Sequence, residues 1–194
     1  SLLEQAPPGS LVTLDLGTTS GVSTWDDGRV TSEEWRLAGS TRDELLPLVG
    51  DTKVLRPHRM FTRLGALLRT LTGPVFVLYE LIPFQKTVLS AQVYGGLRDA
   101  AVIACAEQGV PILGVHPSTY RKAVLGKINP TEADLLAHAR SEYPQVALED
   151  TQHNAADSLV LLTYGLRLPF WGTQAVADSQ ALPAARQKPA RRVF

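Results

Sequence analysis

Val75-Phe76-Val77-Leu78-Tyr79-Glu80 is a continuous apolar run that ends in a carboxylate. Apolar side chains at both parities point to a strand covered on both faces, the pattern of a buried strand in an α/β sheet. Its flanks agree. Upstream, Phe61, Leu64, Leu67, Leu68 and Leu71 recur at helical spacing and predict a helix over Pro57 to Leu71, stopped by Thr72-Gly73-Pro74. Downstream, a long helix is predicted over Thr87 to Gln108, closed by Gly109-Val110-Pro111, and Ile112 to Val115 reads as the next short strand.

Further out, Leu11-Val12-Thr13-Leu14 is a β-prone run ending at Asp15-Leu16-Gly17. A second strand over Gly21 to Trp25 leads into Asp26-Asp27-Gly28, a hairpin signal, and Arg29 to Leu37 reads as the third strand. Helices follow over Pro117 to Leu125, Pro130 to Tyr143 and Asn154 to Leu166. An early meander followed by crossovers predicts an α/β fold, a mixed five-stranded sheet flanked by helices. Ser1 to Ser10 reads as a disordered lead-in and 11–168 as one domain; 169–194 reads as a basic, flexible tail carrying Arg186, Lys188, Arg191 and Arg192.

Nineteen basic and nineteen acidic residues cancel, which excludes a protein that coats nucleic acid through bulk charge but leaves room for a local basic face. The single cysteine, Cys105, forms no internal disulfide and sits in an apolar run as a core residue. No apolar run reaches the roughly 18 residues of a membrane span; the expectation is a cytoplasmic protein with no membrane partner. There is no Walker A loop, no zinc-binding cysteine pair and no Gly-x-Ser-x-Gly elbow.

What remains is acidic. Asp15 ends the first strand, Glu80 ends the buried strand, and Asp157 lies in the first turns of the last helix. Ligands bind at such strand ends in open α/β sheets. Carboxylates gathered there repel one another, and hard divalent cations are the usual remedy because they take oxygen ligands. Two such ions about 4 Å apart can align an attacking water with a leaving oxygen across a phosphodiester.

This constellation resembles the RuvC family of Holliday junction resolvases, and more closely its phage-like branch. The resemblance spans about Leu11 to Leu166. It is carried by Leu14-Asp15-Leu16-Gly17, Val77-Leu78-Tyr79-Glu80, the run Ser90 to Arg98, Pro117-Ser118 with Lys122 and Gly126-Lys127, and Asn154-Ala155-Ala156-Asp157-Ser158-Leu159. It implies a ribonuclease H-like fold and a homodimer that uses divalent metal to nick branched DNA, a four-way junction, symmetrically on two strands. Asp15, Glu80 and Asp157 would then be the metal-binding carboxylates, with Asp15 bridging two Mg²⁺ ions (Mn²⁺ substituting) and Asn154 or His153 completing the shell. Phe84 would be the aromatic near the open junction centre, one residue displaced beside Pro83; its other reading is a core aromatic.

Two positions depart from the family pattern. Asn154 stands where the family often has a further acid, with His153 just before it; Asn is also a good helix cap. Glu132 stands where a basic residue is expected. For phosphate contact the candidates are Lys86, Arg98, Arg121, Lys122 and Lys127, with Lys86 and Lys122 the better placed. The face of the long helix bearing Tyr94, Leu97, Ala100, Ala101 and Ala104 is the candidate dimer interface. Two other readings stand beside the nuclease: a domain that holds branched DNA without cutting it, and an ATPase fragment suggested by the phosphate-loop-like Asp15 to Gly21. The ATPase reading lacks a second loop of that kind downstream.

Overall fold

The computed structural model describes residues 9–38, 55–85 and 87–168. Most of the expected lead-in, the whole expected tail and Lys86 therefore lie outside the described residues. Among the described residues are five strands, β1 (Ser10–Asp15), β2 (Thr19–Asp26), β3 (Arg29–Arg36), β4 (Val75–Glu80) and β5 (Ile112–Val115), and five helices in the order βββαβαβααα. These are α1 (Leu55–Leu68), α2 (Val88–Glu107), α3 (Pro117–Leu125), α4 (Glu132–Glu142) and α5 (His153–Leu166). The sheet order is β3-β2-β1-β4-β5. The first three strands pair antiparallel, and β1, β4 and β5 pair parallel, so the expected mixed five-stranded α/β sheet is what forms.

Strand parity divides the core. Leu11 and Leu78 pack with α3, α4 and α5 on one face, while Val12, Leu14 and Val77 pack with α1 and α2 on the other. Thr13 follows Leu11, and its hydroxyl donates to the Ser158 carbonyl of α5 at 2.7 Å. By the same alternation Asp15 and Glu80 face α5. The register pairs Leu14 with Tyr79, so the next step along both strands sets Asp15 beside Glu80. Asp27 and Gly28, both with positive φ, make the β2–β3 hairpin turn that Asp26-Asp27-Gly28 announces.

Several expectations shift. Ser10, assigned to the lead-in, begins β1, and its amide donates to the Pro74 carbonyl at 2.8 Å. The first helix starts before Pro57, because proline is tolerated in an opening turn. α4 starts at Glu132 because Thr131 and Asp134 form a reciprocal cap ahead of it. The expected dimer face of α2 is wrong: Tyr94, Leu97, Ala100, Ala101 and Ala104 are buried inside the protomer, against α1 and the sheet. Cys105 is fully buried, and burial pushes its thiol up to about 12.

α5 is buried along nearly its whole length and crosses β2 at close range. A Cβ on Gly21 would lie 1.8 Å from the Asn154 carbonyl oxygen, which is backbone and cannot rotate away. At Gly165 the atoms in the way are side-chain methyls of Leu11 and Leu78, at 2.6 and 2.8 Å. Gly165→Ala is expected to cost about 1–3 kcal/mol of stability, the usual range for overpacking. Gly21→Ala should cost more than that, and urea unfolding of the two variants checks the order.

Candidate metal centre

Three elements bring the acids together. Asp15 ends β1, Glu80 ends β4 and Asp157 sits one turn into α5. One oxygen from each lies within 4.8 Å of the others. Glu80 and Asp157 are buried at 4% and 5% exposure, and Asp15 is half-buried at the cleft edge. They line a cavity of about 320 Å³ together with Arg121, Glu132, His153 and Asn154. A second concavity, about 340 Å³, lies between the β1–β2 turn and α2, and no acidic residue lines it among the described residues.

The helix bearing Asp157 is held from the sheet. Its N-cap, Gln152, makes no side-chain cap, and Asn154 lies inside the helix, so the capping role read for Asn154 is not the one it has. Glu34 of β3 caps instead: Oε1 accepts the amides of Asn154 at 3.1 Å and Ala155 at 3.4 Å. A carboxylate suits a helix N-terminus, where unpaired amides and the helix dipole favour negative charge. Deeper in, the Ser158 hydroxyl bonds Ser23 at 2.6 Å, and Ser23 bonds Ser32 at 2.8 Å, tying α5 to β2 and β3. Tyr94 of α2 fixes the backbone around Glu80, donating to its carbonyl at 2.7 Å and accepting the Ile82 amide at 2.9 Å.

Two neighbours from α3 complete the cleft. The Tyr120 hydroxyl bonds Glu80 Oε1 at 3.2 Å and Asp157 Oδ1 at 3.1 Å. Arg121 Nη2 donates to Glu80 Oε1 at 3.0 Å and also to Asp157 Oδ2, while its Nε reaches Asp157 Oδ1 at 3.3 Å. Among the described residues Arg121 is thus the cation that reaches the acids, ahead of the favoured Lys122, which is exposed; Lys86 lies outside the described residues. Lys127 is paired with Asp134 at 2.7 Å and Arg98 with Asp99 at 2.9 Å, both away from the cleft lining. Phe84 is 83% exposed, which rules out the core reading of it. His153 Nε2 lies 3.3 Å from Glu132 Oε2 across the cleft mouth, and His153 Nδ1 is buried with no hydrogen-bond partner.

Crowding shows in the acids themselves. Asp15 is held well above the ordinary carboxylate value, first by burial, then by the negative charges of Glu80 and Asp157, with Arg121 opposing. Asp15 keeps some surface open to the cleft, yet its surroundings are mostly protein, and burial leads. Glu80 is also raised, again by burial first, while its hydrogen bond to Asp15 pulls it down. A site that raises its acids favours their neutral form until a cation is supplied. Three carboxylate ligands form an all-oxygen donor set that fits a hard divalent ion, with Asp15, Glu80 and Asp157 as its holders.

No family model matches the sequence, and no curated protein is similar enough to count as a relative. Solved structures do match. A T. thermophilus RuvC in complex with a Holliday junction substrate aligns over 80% of this chain and 90% of its own, at TM-score 0.60 and 16% identity. A second T. thermophilus RuvC structure aligns over 80% and 95%, at 0.54 and 18%. The yeast mitochondrial Holliday junction resolvase Ydc2 aligns over 92% and 85%, at 0.54 and 10%. The chain has the RuvC fold. That fold is ribonuclease H-like, and the sheet order and helix placement above are its realisation here. No helix among the described residues is long and apolar enough to cross a membrane.

Sequence reading missed Tyr120, Glu34 and Gly21 as site builders. Tyr120 carries no signal beyond an aromatic in a helix. Gly21 stood in view only as a strand residue and part of a phosphate-loop-like run.

The raised Asp15 fixes a pH dependence for the metal-free protein. Above pH 3.8 the unfolded chain ionises Asp15, while the folded state holds its proton until a higher pH. Stability therefore falls as pH rises from 3.8 through the folded value. Asp15→Asn removes this loss. In EDTA the variant should be more stable than the parent at neutral pH, with the gap closing below the ordinary carboxylate value. Thermal melts across pH check it.

Proposed function

We propose that this protein is a Holliday junction resolvase: a divalent-metal-dependent endodeoxyribonuclease that makes paired, symmetric nicks in four-way DNA junctions. The observation that carries this reading is the convergence of Asp15, Glu80 and Asp157 within 4.8 Å, on a sheet with the RuvC fold. When bound, two Mg²⁺ ions supply an activated water and charge stabilisation for the leaving 3′ oxygen. Asp15, Glu80 and Asp157 would hold the ions, with Asp15 shared between them, and Asn154 or His153 would complete the shell. Tyr120 orients Glu80 and Asp157 from beneath. Arg121 lies at the mouth of the cleft, where a phosphate backbone would enter. The exposed Phe84, beyond Glu80, is suited to stacking on an unpaired base.

The test is cleavage of an end-labelled synthetic four-way junction beside a linear duplex of matching sequence, in Mg²⁺ and in Mn²⁺. Symmetric paired nicks in the junction alone are expected, with at least about a hundredfold loss in Asp15→Asn and Asp157→Asn. A junction bound tightly but left intact in both metals would favour the domain that holds branched DNA without cutting it. That reading would rest on Asn154, where the family pattern often has an acid, and on Glu132, which faces His153 where the pattern has a basic residue.

Symmetric nicking needs two copies. α2 leaves Val88, Leu89, Val102 and Ile103 exposed across one broad outer face, and we assign the homodimer contact to it. Ile103→Glu should convert dimer to monomer in sedimentation velocity. A monomeric parent protein, with and without DNA, would sink the assignment.

A further inference from the structure

The counter-charge in the acidic cleft comes from the chain itself, and it occupies the atoms that a metal ion would need. Both Asp157 oxygens are engaged by Arg121, Oδ1 by Nε at 3.3 Å and Oδ2 by Nη2. Glu80 Oε1 accepts the same Nη2 at 3.0 Å. A guanidinium is a pure donor and a divalent ion draws on lone pairs of the same oxygens, so the two compete at Asp157. They also repel.

We propose that Arg121 is a built-in counter-cation: it holds Glu80 and Asp157 together before a divalent ion arrives, competes with that ion for Asp157, and is released toward the substrate phosphate when the ion binds. The proposal rests on the metal-dependent nuclease reading above and adds a control on when the site loads.

Three observations support the release. The Arg121 side chain keeps 23% of its surface exposed, against 6% and 7% for the side chains it binds, so it lies on the solvent side of the acids. Its guanidinium carbon sits 5.5 Å from the centre of the Tyr120 ring, which flanks the side chain on the protein side. Its second partner needs no new geometry, because the planar fork that matches a carboxylate also matches a phosphate. Tyr120, neutral, shares its one hydroxyl proton between Glu80 and Asp157, a contact that does not depend on the cation. The site as built therefore loads metal weakly when alone. A phosphate that draws Arg121 away makes loading easier, and by linkage the ion makes phosphate binding easier.

The test measures Mn²⁺ uptake by DNA-free protein, following the free-ion signal by electron paramagnetic resonance, with Asp157→Asn as the control that places the ion in the cleft. Arg121→Ala is expected to bind Mn²⁺ about tenfold more tightly than the parent. The gain should persist at high ionic strength, where long-range repulsion is screened but direct competition is not. In EDTA the variant should melt lower than the parent, and Mn²⁺ should close the gap. Arg121→Gln, which keeps a donor and loses the charge, should shift in the same direction and serves if the alanine variant does not fold. Equal or weaker Mn²⁺ binding by folded Arg121 variants would overturn the proposal and leave the nuclease reading standing. No uptake by any variant, the parent included, would overturn both.

Discussion

One row across the sheet governs this molecule. Glu34 of β3 pairs with Gly21 of β2, and Gly21 pairs with Asp15 of β1. The parallel register then carries the row on to Glu80 of β4. All four positions face α5, and each answers a different demand of that contact. Gly21 lets the helix backbone approach, Glu34 caps its first amides, and Asp15 and Glu80 meet Asp157 at its first turn. A larger residue at Gly21 would push the helix off the sheet and separate the acids. The tight crossing and the acidic cluster are one constraint.

That constraint carries an electrostatic cost. Burial and mutual repulsion raise Asp15 and Glu80, so the fold works against their ionised form. Arg121 offsets part of the charge and Tyr120 satisfies oxygens that face inward. Arg121 itself shows the same balance: burial disfavours its charge, but the hydrogen bond and charge of Asp157 outweigh that and raise it. A divalent ion would neutralise the cluster more completely than one guanidinium can.

Much of the architecture was legible in the chain because local chemistry and fold agree. Asp27-Gly28 takes positive φ where a tight hairpin demands it, Thr131 and Asp134 cap α4 reciprocally, and the Val75–Glu80 run forms a strand with Val77, Leu78 and Glu80 buried. Misreadings came where a side chain has two plausible homes. The Tyr94 and Ala100 face of α2 is apolar and small, which suits a subunit interface and a protomer core equally; packing against α1 chose the core. Asn154 resembles a cap in sequence, but Glu34, 120 positions away, reaches the helix end first. Neighbouring basic residues could not be ranked by spacing, since Arg121 and Lys122 point in different directions from one helical turn.

The sequence by itself determined the strand and helix order, the three acids and the apolar parity that places two of them on one face. Those follow from periodicity and from residue chemistry, which act over a few positions. Only the tertiary structure decided that Arg121 and Tyr120 share the cleft, that Glu34 holds the helix and that Gly21 is the point of closest approach. Each of those contacts joins segments far apart in the chain. Their geometry depends on how α5 settles against β2, and no local pattern encodes that distance.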